Sequence, residues 1–427
     1  MSAGLPARAA AQAVLSDVLR KRRPLDAALD SLRLLEPRDA GFARAIASET
    51  LRRLGQIEAL VRHCVPKAPP PHKAGPTLEI LYAGACELLF LGVSAHAAVD
   101  AANRLAQADA KAVHFKALIN AVLRRLSREG GALVAAQDAA RLNTPDWLWS
   151  RWAENFGADI ARAIAEAHSR QAPVDIVLKN PETAHTLPGE RLFGDVVRLA
   201  DAGRIDALPG FAPGEWWVQD AAATLPARLL GPVHGQTVID LCAAPGGKTM
   251  QLAAAGAQVV AVEREAARLE RVRENLARTK LDATLVQADA RDFRPAVPAP
   301  FVLLDAPCTA TGTIRRHPEL PWIKSASDVT LCEQAASELL DAAADMVAPG
   351  GTLVFAVCSL EPEEGLLQAE NFLQRDARFA RLRLAPEEVF GHAQWISPEG
   401  DLRTLPCQLS DKGGMDGFYA ARFRRSS

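Results

Sequence analysis

From Gln236 onward the chain alternates short apolar runs with helical stretches, and an acid sits at or just past the end of four of those runs. The runs cover residues 237–241, 259–262, 283–286, 301–304 and 352–357, and the acids are Asp240, Glu263, Asp289 and Asp305. Helical periodicity lies between them, beginning near residue 250 and covering 266–279 and 327–347. Strands that alternate with helices of this length predict a mostly parallel, doubly wound α/β sheet. In such sheets ligands bind in the crevice beyond the carboxyl ends of the strands, which is where these acids fall. Residues 369–427 continue with a helix and two further strands, the last near 417–424.

Two turns stand out against that frame. The first is Asp240-Leu241-Cys242-Ala243-Ala244-Pro245-Gly246-Gly247-Lys248-Thr249, between a strand and a helix. Its glycines let the backbone approach a ligand closely, and the helix start offers free N–H groups. It matches neither G-x-x-x-x-G-K-[ST] nor G-x-G-x-x-G, which argues against ATP and NAD. Glu263, ending the second strand, suits two ribose hydroxyls, and Asp289 suits an adenine amino group. An adenosine ligand without phosphate fits this set, and S-adenosylmethionine is one. The second turn is Asp305-Ala306-Pro307-Cys308, where proline stiffens the exit from an apolar strand and holds the acid and thiol on one frame.

The remainder bounds the partners. Residues 1–130 carry 19 Lys and Arg against 12 Asp and Glu, while the other 297 residues carry 30 against 39. A basic leading part on an acidic body points to a polyanion-binding module. That part reads as helices throughout: a cationic run, Arg20-Lys21-Arg22-Arg23, stopped by Pro24; a long helix from Asp39 to Val65; and a closing pair, Gly130-Gly131. Trp147, Trp149 and Trp152 are expected on one buried helical face. Seven cysteines, an odd count without C-x-x-C spacing, argue against a disulfide framework and against zinc. Reduced thiols imply a cytoplasmic setting, and the first fourteen residues lack a signal-peptide core. The longest apolar stretch, residues 80–93, is interrupted by Glu87 and is too short for a bilayer.

With these motifs in view, residues 1–130 resemble the NusB-like RNA-binding domain, on the helix arrangement, His96-Ala97-Ala98-Val99 and the run Asn120 to Arg125. The rest closely resembles RNA cytosine-5 methyltransferases of the NOL/NOP/Sun group. The resemblance rests on the stretch Asp240 to Thr249, the stretch Asp305 to Gly312, Arg315-Arg316-His317-Pro318-Glu319, Cys358-Ser359-Leu360-Glu361-Pro362-Glu363-Glu364, Gln219-Asp220 and Asp416-Gly417-Phe418-Tyr419. The whole chain is similar to the Fmu/Sun type, which methylates bacterial 16S ribosomal RNA. The resemblance implies a Rossmann-like S-adenosylmethionine-dependent methyltransferase domain over residues 231–427, a connecting region at 140–230 and the all-α domain at 1–130. It implies that Cys242, Ala243, Ala244, Pro245, Gly246, Gly247, Lys248, Glu263, Asp289 and Asp305 contact the cofactor. It further implies that Cys358 is the nucleophile and that Cys308 assists product release, with Asp305 and Lys248 in the catalytic set.

Cytosine C5 is a poor nucleophile, so a thiolate adding at C6 is what makes C5 reactive, and hydrogen bonding at N3, a role for Asp305, helps that addition. Lys248 supplies positive potential that favours a thiolate. The sequence pattern alone permits either Cys308 or Cys358 to attack; the resemblance favours Cys358. Arg124 and Arg125, with Arg20, Arg22 and Arg23, are candidates for phosphate contacts, and Arg315, Arg316 and His317 for RNA contacts near the site. Three positions depart from the family pattern: Val357 stands for threonine, Gly365 for asparagine, and Lys179 for an RNA-facing arginine. The expectation is a monomer acting on RNA, with no metal and no membrane. Methylation of tRNA or DNA, and a non-catalytic RNA-binding assembly factor, are the competing readings.

Overall fold

The computed structural model describes residues 4–67, 69–180, 187–200 and 202–427. Met1 to Ala3, the start of the stretch read for a signal sequence, and residues 181–186 of the connecting region lie outside the described residues. The chain forms two units. One is Met1–Arg170 with Ile314–Ser325, and the other is Gln171–Thr313 with Ala326–Ser427.

The first unit is helical: α1 (Leu5–Lys21), α2 (Leu25–Leu29), α3 (Pro37–Arg52), α4 (Leu54–Cys64), α5 (Pro71–Ala74), α6 (Thr77–Leu89), α7 (Ala95–Ala108), α8 (Lys116–Ala135), α9 (Ala139–Leu142), α10 (Asp146–Phe156) and α11 (Ala158–His168). The cationic run ends α1 as expected, with Arg22 in the left-handed conformation. The single helix expected over 39–65 is instead two, because Arg53 leaves helical geometry at φ −105° and ψ 12°. Just beyond this break Gly55 meets the backbone of Leu142: an added Cβ would lie 1.8 Å from the Leu142 carbonyl oxygen. Gly55→Ala is therefore expected to cost about 1–3 kcal/mol by overpacking, read as a lower urea midpoint at unchanged slope.

The helical region does not close at Gly130-Gly131. Both lie inside α8, where a Cβ on Gly130 would press on Leu89 and one on Gly131 would meet open space, so Gly130 serves helix packing and the unit runs on to Arg170. The tryptophans are not one stripe. Leu148 and Trp152, four residues apart, form the buried face, whereas Trp147 and Trp149 are only partly buried. The Trp149 ring lies beneath the guanidinium groups of Arg141 and Arg162, at 5.2 and 5.6 Å. The returning segment adds α15 (Leu320–Ile323), held by Trp322 Nε1 donating to the Leu51 carbonyl at 2.8 Å and Arg22 Nε donating to the Ile323 carbonyl at 2.8 Å.

The second unit opens with a small antiparallel sheet of β1 (Asp175–Leu178), β2 (Gly189–Phe193), β3 (Val196–Leu199) and β4 (Trp216–Val218), in the order β2-β3-β1-β4. Of these, only β1 is read as a strand from the sequence. Arg198 and Asp175 pair across it at 2.7 Å with both side chains buried. A turn of 3₁₀-helix and the short α12 (Leu225–Arg228) follow.

The main sheet then follows: β5 (Thr237–Leu241), α13 (Gly247–Ala254), β6 (Gln258–Glu263), α14 (Ala266–Thr279), β7 (Thr284–Gln287), β8 (Ala299–Asp305), α16 (Ala326–Asp345), β9 (Val347–Val357), α17 (Leu366–Arg375), β10 (Phe379–Arg381), β11 (Leu402–Thr404) and β12 (Phe418–Arg425). Its order is β10-β12-β9-β8-β5-β6-β7, with β11 also on β12. The pairs among β5 to β9 are parallel, and β12 runs antiparallel to β9. Alternation along the strands sends Ile239, Val302 and Phe355 into one apolar layer and Val238, Leu303 and Val354 into the other. The chain leaves β5 toward β6 and β7, then returns on its other side at β8. That reversal opens a crevice at the carboxyl ends of β5 and β8.

Candidate active site

Each side of this crevice is a turn braced by its neighbours. After β5 the chain enters the left-handed region at Cys242 (φ 60°) and again at Gly246 (φ 101°), the second a conformation that favours glycine. Helix α14 anchors the turn, with Arg268 Nη2 donating to the Ala244 carbonyl and Asn275 Nδ2 to the Pro245 carbonyl, both at 3.0 Å. Gln219 packs behind Gly247, where a Cβ would lie 3.1 Å from its amide carbon, and donates to Gln251 Oε1 at 2.7 Å. Asp220 Oδ1 accepts from Ala222 N and Asp416 N, which gives the Gln219-Asp220 pair a bracing role.

The acids are differentiated. Asp240 is fully buried and accepts from Thr249 Oγ1 at 2.6 Å, and burial pushes its carboxyl up to about 7. Glu263, 3% exposed, accepts from Ala244 N at 3.3 Å and Glu265 N at 3.1 Å. Asp289 is bound by Arg291 at 2.7 Å, and that hydrogen bond, opposed by partial burial, brings its carboxyl down to about 2. Burial pushes the Cys242 thiol up to about 12, so it stays protonated beside the turn.

Across the crevice, Lys248 Nζ donates to Asp305 Oδ2 at 2.7 Å and lies 5.2 Å from the centre of the Phe418 ring. Burial opposes the Lys248 charge, but Asp305, together with Cys358 and Asp240, outweighs it and raises its pKa above the ordinary lysine value. Cys308 Sγ is 3.5 Å from Cys358 Sγ although fifty residues separate them. The Cys308 thiol is raised well above the usual range by its hydrogen bond with Cys358 and by burial, so Cys308 holds its proton.

What holds the two thiols together is a carboxylate to which the sequence reading assigned no role. Glu364 is fully buried and accepts from Thr309 N at 2.7 Å, from Thr309 Oγ1 at 2.6 Å and from Ser359 Oγ. Thr311 Oγ1 donates to Glu361 Oε1 at 3.2 Å and accepts from Leu360 N at 3.0 Å. Gly312 N donates to the Cys358 carbonyl at 3.0 Å, and Gly417 N donates to the Gly312 carbonyl at 2.8 Å. A Cβ on Gly312 would lie 2.0 Å from the Gly417 carbonyl oxygen, so only glycine lets these turns close. The signal for this network is in the sequence, in the acids that follow Cys358 and the hydroxyls that follow Cys308.

The departures from the family pattern also find places. Val357 is buried on β9 opposite Tyr419. A Cβ on Gly365 would lie 3.0 Å from the Tyr419 ring, so this chain's tyrosine fills the room a larger residue would need. Lys179 Nζ donates to the Thr279 carbonyl at 2.7 Å, which spends it on the end of α14.

The RNA-contact candidates lie in the helical unit. Arg124 is exposed, and Arg125 is partly buried and pairs with Glu129 at 2.9 Å. Arg316 is exposed and His317 partly so, but Arg315, expected to face RNA, is instead buried at 1% exposure, its carbonyl accepting from Arg52 Nη1 at 2.8 Å. Arg20 pairs with Glu79, and Arg23 with Asp17. Among the described residues, no group of three or more His, Cys, Asp or Glu is arranged to hold a metal ion, and no helix is long and apolar enough to cross a membrane.

A parallel sheet reversing at β5 and β8, with a Gly-Gly turn opening α13 and acids at the strand ends, is the fold of an S-adenosylmethionine-dependent methyltransferase. The residues fit that cofactor: the first turn of α13 leaves N–H groups without helical partners, and Glu263 and Asp289 stand at the ends that would face a ribose and a base. The family model described as 16S rRNA methyltransferase RsmB/F matches residues 227–424, and that of the NusB family matches residues 5–128. A ribosomal RNA small subunit methyltransferase B of Pseudomonas putida is 37% identical, over 99% of this chain and 98% of its own length. The protein of that name from Pasteurella multocida is 34% identical, over 99% and 96%. The solved structure named PH0851 superposes with a TM-score of 0.77 at 22% identity, over 98% of this chain and 99% of that one, and shares the fold. The chain belongs to the RsmB/F family of RNA methyltransferases and carries a NusB family domain ahead of the catalytic one.

Proposed function

We propose that this chain methylates C5 of a cytosine in 16S rRNA, with Cys358 as the attacking thiol and Cys308 as the residue that completes the reaction. The observation that carries this reading is the 3.5 Å approach of the two thiols beside the Lys248–Asp305 pair. The Cys358 thiolate adds to C6 of the cytosine while the proton that Lys248 shares with Asp305 passes to N3, which draws electron density away from C6 and makes the addition easier. Electron density then builds at C5. S-adenosylmethionine, when bound, supplies the methyl group. Forming the C–S bond consumes the Cys358 thiolate, and with it the largest cause of the raised Cys308 pKa. Cys308 then loses its proton to solvent, its thiolate takes the proton on C5, and the C5–H electron pair reforms the C5=C6 bond and expels Cys358 as a thiolate.

The target base must leave its stack to reach these thiols, so an unpaired or remodelled RNA segment is the substrate. The helical domain supplies phosphate contacts through Arg124 and Arg125. Replacing both with Ala is expected to weaken RNA binding and to lower the slope of log K against log salt by about 1.4 for a single strand. The same reading makes the chain a cytoplasmic monomer; its support is that the thiols, the acids and the glycine turn all come from one unit of one chain.

The test is transfer of labelled methyl groups to 16S rRNA, tRNA and DNA, with bisulfite mapping of the product. A single 5-methylcytosine in 16S rRNA is expected. Methylation of tRNA instead would redirect the substrate, and transfer to none of the three would favour the non-catalytic assembly factor.

A further inference from the structure

Arg403 lies on β11 opposite Tyr419, and Tyr419 lies on β12 opposite Val357, the residue before Cys358. Its guanidinium is centred 5.0 Å from the Tyr419 ring, and its Nη1 donates to the carbonyl of Ser359, the residue after Cys358, at 2.9 Å. The side chain is partly buried, and burial pulls its pKa down to about 10. A cation removed from water in this way costs free energy unless an anion or several acceptors meet it.

Among the described residues the protein supplies only one acceptor. The nearby acids are committed elsewhere: Asp401 Oδ2 accepts from Tyr419 Oη at 2.5 Å, and Glu361 Oε1 accepts from Thr311 Oγ1 at 3.2 Å. The remaining Arg403 donors, Nε and Nη2, have no partner among the described residues. Of the other basic positions expected to face RNA, Arg315 is buried and Lys179 is held by the carbonyls at the end of α14.

We propose that Arg403 binds a backbone phosphate of the RNA strand beside the target cytidine, and that its bond to the Ser359 carbonyl ties capture of that phosphate to the turn carrying Cys358. A planar fork of N–H donors matches a phosphate in a way that an ammonium does not. The inference rests on the reading of Cys358 as the attacking thiol.

The experiment uses the full chain and a 16S rRNA fragment containing the target, with neutral methylphosphonates placed singly at the phosphates flanking the cytidine. Loss of the covalent adduct in Cys358→Ala on the unmodified fragment, with the adduct kept in Cys308→Ala, tests the Cys358 reading first and separately. One methylphosphonate position is expected to weaken wild-type binding about 10-fold and to have no further effect on Arg403→Gln, with the salt slope of that variant lower by about 0.7. Arg403→Lys is expected to keep the wild-type slope, and cofactor affinity is expected to be equal in all three proteins, which also reports an intact fold. Unchanged RNA affinity and slope in Arg403→Gln with a lowered kcat would reduce Arg403 to a brace for Ser359 and overturn the proposal. So would a loss confined to cofactor binding, or an undiminished methylphosphonate effect in Arg403→Gln. If Arg403→Gln does not bind cofactor, the wild-type series and Arg403→Lys decide: no sensitive phosphate, or a lysine slope about 0.7 lower, overturns it.

Discussion

Cys358→Ala is expected to lose methyl transfer by about 10³-fold or more and to leave no protein–RNA band on a denaturing gel, while Cys308→Ala retains that band and accumulates it. The asymmetry follows from the two roles proposed for the pair and from the surroundings of Cys308. The two sulfurs are 3.5 Å apart, and Cys308 is the member whose thiol is raised well above the usual range, first by Cys358 itself. A thiol held protonated is the poorer nucleophile, which leaves the attack to Cys358, and the adduct forms through it. Without Cys308 the addition and the methyl transfer still proceed, but removal of the C5 proton stalls and the C–S bond persists. The reverse outcome, an adduct that survives Cys358→Ala and disappears in Cys308→Ala, would assign the attack to Cys308. The double variant forms no adduct under either assignment, so the single variants carry the decision.

How far the sequence foretold this site depends on the range of the interaction concerned. The helix read over 266–279 is α14 at the same limits, and the strand read over 237–241 is β5, because period and length within one segment determine both. The acids at the strand ends were legible for the same reason. Contacts between distant segments were not. Gly130-Gly131 has the composition of a terminator, yet it lies inside α8, where Gly130 makes room for Leu89. Arg315 reads as a surface cation, yet its segment returns to the helical unit and is buried there. β2, β3 and β4 are short, and each is defined by its partner across the small sheet rather than by its own pattern. Glu364 was quoted among the residues that mark the family, but its work is to hold Thr309 and Ser359, and the fifty-residue separation hid that from any local reading.

Asp305→Asn is expected to lower kcat by about 10²- to 10³-fold and to destabilise the fold by about 1–3 kcal/mol, measured by single-turnover transfer and by urea unfolding. Removing one partner of a buried pair costs about 3–5 kcal/mol where both are dry; here the Asp305 side chain is 28% exposed and Lys248 10%, so the cost falls below that range. Asparagine keeps the shape but leaves the Lys248 ammonium, buried against Phe418, without its counter-charge. Lys248→Met in the Asp305→Asn background removes the stranded charge, so the double variant should recover stability lost by Asp305→Asn and recover none of the activity. That separation is the decisive readout, since a purely structural pair would return both together. The pH dependence of the pair's stability has a defined sign. The folded pKa of Lys248 is raised above 10.5, so its contribution is fully present below that value and is lost only as pH climbs through the folded pKa. Between pH 6 and 9 wild-type stability should therefore carry no slope from Lys248, and a change in wild-type activity across that range belongs to groups other than this lysine.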